Sequence, residues 1–169
     1  SKKKQKLNYK YFLFLGKINK GKNVVNIVKA YEKIIEIENK YKLLIVGNGN
    51  QKEKILEIIN KKKLNKFIII KNFVKNPYIY IKNASCLISA SSFEGCPSTV
   101  LEAMTLRTPV ILSNFKGYKE LIMKNNWAYV FNTIIVVTYG YFFIAQLTLY
   151  LEWKGLNQDD ILFLDGIKL

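Results

Sequence analysis

Two carboxylates, Glu94 and Glu102, are separated by seven residues in a stretch that passes from loop to helix. Gly95 gives backbone freedom just after the first acid, and Pro97 suits a first helical position, where its missing N–H would be unpaired anyway. A helix is therefore predicted over residues 97–106. Glu94 then lies in the loop before the helix and Glu102 in its second turn, so the two acids can face one cavity from different elements. Between them lie the free N–H groups of a helix N-terminus, which favour an anion. Two acceptors for hydroxyls beside a cradle for a phosphate or carboxylate suit a sugar nucleotide.

The elements that must position these acids are readable from hydrophobic pattern. Short apolar runs at 11–15, 42–46, 67–70, 85–88 and 109–112 read as five strands. Helical spacing recurs over 24–39 and 51–64, with a short helix at 77–83. Runs that are apolar on both faces and joined by helices imply an α/β fold, a Rossmann-like parallel sheet with helices on both faces and right-handed crossovers. Ligands of such sheets bind beyond the carboxyl ends of the strands, which directs attention to residues 16–22, 47–50, 72–75, 89–95 and 113–120. The order breaks after residue 122. We therefore expect one domain over 1–122 and an unassigned tail over 123–169, made of buried strands, a membrane segment or out-of-frame sequence. No charged residue occurs from 125 to 151, and the run 133–151 is long enough to span a bilayer.

Composition limits the chemistry. There is no histidine, which removes Ser/His/Asp and Cys/His catalysis and the usual zinc sites. Cys86 and Cys96 are too few for a disulfide framework and lack metal-type spacing, so a reducing cytosol fits. The 27 basic and 12 acidic residues give a formal charge of +15, which favours nucleotides, anionic membrane surfaces or nucleic acid. All of the basic residues but Arg107 are lysines, whereas a nucleic-acid reader more often uses the planar fork of arginine. Nucleic acid is therefore not the expected partner, and much of the lysine surface is ordinary solvated face. The apolar run 11–15 is too short for a signal-peptide core. Ser1 in place of methionine suggests a fragment or a processed product.

Three motifs now fall in order at strand ends: Gly16-Lys-Ile-Asn-Lys-Gly-Lys22, Leu43-Leu-Ile-Val-Gly-Asn-Gly49, and Glu94-Gly-Cys-Pro-Ser-Thr-Val-Leu-Glu102 followed by Ala-Met. Together they resemble the donor-binding half of glycosyltransferase family 4, a retaining family with the two-domain GT-B fold. The resemblance covers residues 11–122. It implies that Lys17 and Lys22 hold the donor's diphosphate, where preorganised positive charge is most useful as the leaving group gains negative charge. The family usually has arginine at the first of these positions, so Lys17 implies looser donor geometry. Gly47 and Gly49 match a glycine turn near the nucleotide, and Val74 falls where the family presses backbone against the base. Glu102 matches the acid that binds ribose hydroxyls. Glu94 matches the acid beside the transferred sugar and is the catalytic candidate. The backbone at Gly95, Cys96, Pro97 and Ser98 would face the sugar, that at Thr99 and Val100 the phosphate, and Ser91 would cap the turn.

By this resemblance the chain moves a hexosyl group from a nucleotide-diphosphate sugar, of UDP or GDP type, to a glycan or lipid-linked acceptor. Neither a metal nor another cofactor is implied. The acceptor would be bound through an amino-terminal domain that this sequence does not contain, and the place of action would be cytoplasmic, peripheral to the inner face of the membrane. The alternative is a non-catalytic nucleotide-sugar-binding or interaction module. Donor binding without turnover would distinguish it.

Overall fold

A computed structural model describes residues 7–37, 39–94, 97–113 and 128–131, the last group as backbone only. In chain order the elements are β1 (Lys10–Leu15), α1 (Val24–Ile37), β2 (Tyr41–Val46), α2 (Lys52–Lys61), β3 (Ile68–Lys71), α3 (Tyr78–Lys82), β4 (Cys86–Ser89), α4 (Ser98–Thr105), β5 (Val110–Ser113) and β6 (Ala128–Phe131). Among the described residues the six strands form one sheet in the order β3-β2-β1-β4-β5-β6, and every pairing is parallel. This is the expected α/β, Rossmann-like architecture. β6 is an addition: it lies in the stretch left unassigned by the sequence pattern and pairs with β5 from Val110 with Ala128 to Ser113 with Phe131. The candidate membrane run at 133–151 lies outside the described residues, and among those described no helix is long and apolar enough to cross a membrane.

The strands are apolar throughout because both of their faces are covered. Phe12, Phe14, Leu43, Ile45, Cys86, Ile88 and Ile111 pack with Val24, Ile27, Val28 and Tyr31 of α1 and Ile55 and Ile59 of α2. The alternate residues Tyr11, Leu13, Leu44, Val46, Leu87, Val110 and Leu112 pack with Tyr80 and Ile81 of α3 and Val100 and Ala103 of α4. Two-residue alternation thus sorts each strand between two cores. α1 and α2 cover one face, α3 and α4 the other. The crossover from β3 to β4 changes sides, so the strand order reverses between β1 and β4. That is the topological switch point at which open α/β sheets bind ligands.

Polar groups buried by this packing are paired. The Tyr11 hydroxyl donates to the Tyr80 carbonyl at 2.8 Å and anchors α3 to β1, while Thr108 Oγ1 donates to the Ile81 carbonyl at 2.9 Å. Burial, with smaller contributions from Tyr9 and Tyr80, pushes the Tyr11 phenol up from 10.0 to about 12. The folded chain therefore keeps a proton that the unfolded chain releases near 10, so this group's contribution to stability is lost as pH rises between those values. Tyr11→Phe should cost about 1 kcal/mol at neutral pH through the lost hydrogen bond. It should also flatten the fall in stability between pH 10 and 12, as measured by urea unfolding at a series of pH values; an unchanged slope would contradict this assignment.

Candidate functional site

Parallel strands bring the loops that follow them to one edge. The loop after β1 is stapled to the loop after β2: Gly16 N–H donates to the Val46 carbonyl at 3.0 Å, Ile18 N–H to the Asn48 carbonyl at 2.9 Å, and Gln51 N–H to the Ile18 carbonyl at 3.1 Å. This seam is why glycine occupies 47 and 49. At Gly47 φ is +151°, and a Cβ there would sit 1.9 Å from the Gly16 carbonyl oxygen; at Gly49 a Cβ would sit 2.2 Å from that of Ile18. Their immediate role is thus backbone-to-backbone packing between two loops. Gly47 also lines the larger cleft described below.

A second seam joins the loop after β1 to the loop after β4, across the switch point. Asn19 Oδ1 accepts the Lys22 N–H at 3.1 Å at the start of a single 3-10 turn, Lys20–Lys22. Asn23 follows with a left-handed φ of 53°, and its Nδ2 donates to the Ala90 carbonyl at 2.9 Å. Both the N–H and the hydroxyl of Ser92 donate to the Gly21 carbonyl, at 3.0 and 3.2 Å. Held in this way, Lys22 Nζ donates to Glu94 Oε1. The Ser91 hydroxyl donates to the same oxygen at 2.6 Å. Ser91 is itself fixed, since its carbonyl accepts from the Ser113 hydroxyl at 2.6 Å and its Oγ lies 3.5 Å from that of Ser89. Ser113 and Ser91 are fully buried. Asn23 was not singled out from sequence, and Ser89 and Ser113 were expected only as members of the loops 89–95 and 113–120, because isolated serines and asparagines carry no motif; the pairing of Lys22 with Glu94 spans 72 residues.

The two acids line two adjoining cavities instead of one. A small pocket of about 40 Å³ is bounded by Lys22, Glu94, Pro97, Ser98, Thr99 and Val100 with the ends of β1 and β4, and holds little more than a few waters. A larger cleft of about 510 Å³ is bounded by Lys17, Gly47, Val74, Thr99 and Glu102, together with Phe73, Lys75, Pro77 and Tyr78. Leu15 and Thr99 line both. Phe73 is three-quarters exposed and Tyr78 half exposed, so two aromatic faces border the larger cleft; Phe73 belongs to the expected 72–75 loop, but an aromatic lining was not expected from sequence, although aromatics flanking a loop are a usable signal.

The first turn of α4 departs from expectation in detail. The Pro97 carbonyl accepts the N–H groups of Val100 at 2.9 Å and Leu101 at 3.0 Å, so the Val100 N–H is already spent and Pro97 has none. Among the described residues, those of Ser98 and Thr99 have no such partner, and no side chain caps the helix. These two are the donors this helix start offers an anion. Gly95 and Cys96 lie outside the described residues. Among those described, no cluster of three or more His, Cys, Asp or Glu could hold a metal ion.

Comparison with known proteins places this geometry in context. The family model described as glycosyl transferases group 1 matches residues 1–136. An uncharacterized glycosyltransferase of Methanocaldococcus jannaschii is 32% identical over 112 residues, covering 66% of this chain and 28% of its own length. The Campylobacter jejuni N-acetylgalactosamine-N,N'-diacetylbacillosaminyl-diphospho-undecaprenol 4-alpha-N-acetylgalactosaminyltransferase is 30% identical over 116 residues, covering 68% of this chain and 31% of its own. The chain thus spans less than a third of the length of these relatives. Among solved structures, TarM superposes with a TM-score of 0.74 at 23% identity, covering 90% of this chain and 31% of TarM. The C-terminal domain of a Francisella tularensis group 1 glycosyl transferase, LpcC, superposes at 0.71 and 18% identity, covering 85% of this chain and 76% of that one. At these identities the structures establish a shared fold.

The glycine seam yields a direct check. Gly47→Ala must place a methyl group against the Gly16 carbonyl in a backbone conformation that alanine avoids, and should cost about 3 kcal/mol in urea unfolding. At Gly21 a Cβ would meet only Asn19 Oδ1, at 3.7 Å. Gly21→Ala should therefore stay within about 0.5 kcal/mol of the parent chain. Equal effects of the two substitutions would contradict the seam.

Proposed function

The chain belongs to the group 1 glycosyl transferases, and from that premise we propose that it is the nucleotide-sugar-binding part of a retaining hexosyltransferase. The donor is a nucleoside-diphosphate sugar, and the acceptor a glycan or lipid-linked hydroxyl. One observation carries the reading: Lys17, Lys22, Glu94 and Glu102, spread over 86 residues of sequence (17 to 102), line two adjoining cavities at the switch point of the sheet. The UDP-type donor draws support from fold neighbours crystallised with UDP, among them a TarM variant and the pneumococcal O-GlcNAc transferase GtfA.

In this reading the base lies in the larger cleft beside Phe73, Val74 and Tyr78, and Glu102 accepts hydrogen bonds from the ribose hydroxyls. The diphosphate crosses from the larger cavity to the smaller past Thr99, between Lys17 and Lys22 and against the N–H groups of Ser98 and Thr99. The sugar then faces Glu94. Positive charge fixed beside the leaving diphosphate stabilises the transition state more than the ground state, because negative charge grows there as the glycosidic bond breaks. A carboxylate at Glu94 orients sugar hydroxyls and offsets positive charge developing at the anomeric carbon. The lysines and helix N–H groups carry the neutralisation, with no metal ion assigned a role. Action at the cytoplasmic face of an anionic membrane fits a lipid-linked acceptor and a lysine-rich surface.

The test is calorimetric. Lys22→Ala and Glu102→Ala should each weaken UDP binding by more than about tenfold, the scale of one lost charge-assisted hydrogen bond at a partly buried site. Affinity equal to that of the parent chain in both variants would remove the basis for this assignment.

A further inference from the structure

The ion pair between Lys22 and Glu94 joins the two side chains to which the proposed function gives opposite ligands, phosphate and sugar. Each is pinned through its backbone or its neighbour. Lys22 is held by Asn19 on one side, with Asn23 beside it tied to Ala90, and Glu94 is held by Ser91, which Ser113 fixes from beneath. The two partners differ in exposure. The Lys22 side chain is 29% exposed, whereas that of Glu94 is 12% exposed and shares its oxygen with the Ser91 hydroxyl. The lysine is therefore the partner with room to move, and the pair closes one wall of a pocket too small for a sugar.

We propose that this pair is a latch which a nucleoside diphosphate must open: phosphate takes Lys22 from Glu94, and only then does the carboxylate become available to the transferred sugar. A partly buried carboxylate without a counter-ion is costly, which is why the closed pair is the resting state. A diphosphate carries more negative charge than a carboxylate and so can compete for the same ammonium group. Donor binding and exposure of Glu94 are thus a single event. The pocket beside Glu94 stays too small for a sugar until the diphosphate has docked. This inference rests on the proposed placement of the diphosphate at Lys22.

Calorimetry with UDP as the probe separates the two claims. Glu94→Gln removes the competitor for Lys22 and should tighten UDP binding by about fivefold, a coupling typical of contacting charged groups. Glu94→Asp keeps the charge but withdraws it by one methylene, and should tighten binding in the same direction. The gain should vanish in Lys22→Ala/Glu94→Gln relative to Lys22→Ala, because no latch remains to open. If Lys22→Ala weakens UDP binding but the Glu94 variants do not strengthen it, or if the gain persists without Lys22, the latch is wrong while the phosphate assignment stands. If Lys22→Ala leaves UDP binding unchanged, the phosphate assignment fails and the latch with it.

Discussion

The seam between the loops after β1 and β4 is the interaction on which the candidate site depends. Those strands are neighbours in the sheet although their first positions, 10 and 86, lie 76 residues apart in the sequence. Hydrogen bonds from Ser92 to Gly21 and from Asn23 to Ala90 close the seam, and each is an ordinary neutral bond worth about 1 kcal/mol net. Their importance is geometric. Without them Lys22 and Glu94 would sit on two independent loops, and a lysine with four rotatable bonds would not remain against one carboxylate oxygen. The left-handed conformation at Asn23 has the same purpose: it turns the chain from the Lys20–Lys22 turn directly into α1 and leaves the asparagine amide on the Ala90 carbonyl, just beyond β4.

The second seam, between the loops after β1 and β2, performs a different task. It fixes the backbone beneath Lys17 by bringing two chain segments closer than any side chain allows, which is why the Gly47 and Gly49 positions require glycine. The two seams together make the loop after β1 a shared wall, with Lys17 on the larger cleft and Lys22 on the smaller pocket. A ligand with a diphosphate between two sugar-like ends matches that division. In the proposed reading one end would meet Glu102 and the other Glu94, with the charge between two lysines.

The five strands at 11–15, 42–46, 67–70, 85–88 and 109–112 were readable to within a residue because burial on both faces leaves a mostly apolar run that is stopped by glycine, lysine or serine. Helix ends were less readable. The pattern carried the second helix to residue 64, whereas α2 ends at Lys61 and the chain turns through Lys63 with a φ of 55°, which apolar spacing does not mark. β6 was not separated from its surroundings, since Ala128-Tyr-Val-Phe131 is only four residues long and lies inside a stretch with no charged residue from 125 to 151. In the site, residues belonging to a motif could be given roles from sequence, whereas most of their supports could not. Glu94, Glu102, Lys17 and Lys22 have recognisable company in sequence. Ser113, Ser89 and Asn23 act only through contacts made after folding, and the pairing of Lys22 with Glu94 is a product of strand order that no local spacing encodes.

The central claim is that the switch-point edge of the sheet, between the loops after β1 and β4, is where a nucleoside diphosphate binds. Its most direct test is an amide chemical-shift titration of the labelled chain with UDP. The account predicts shifts concentrated in residues 16–23, 47–49, 73–78 and 98–102, all at the carboxyl ends of the strands. Shifts confined to the lysine-rich segment 61–66 at the opposite end of the sheet, or none at saturating UDP, would contradict it.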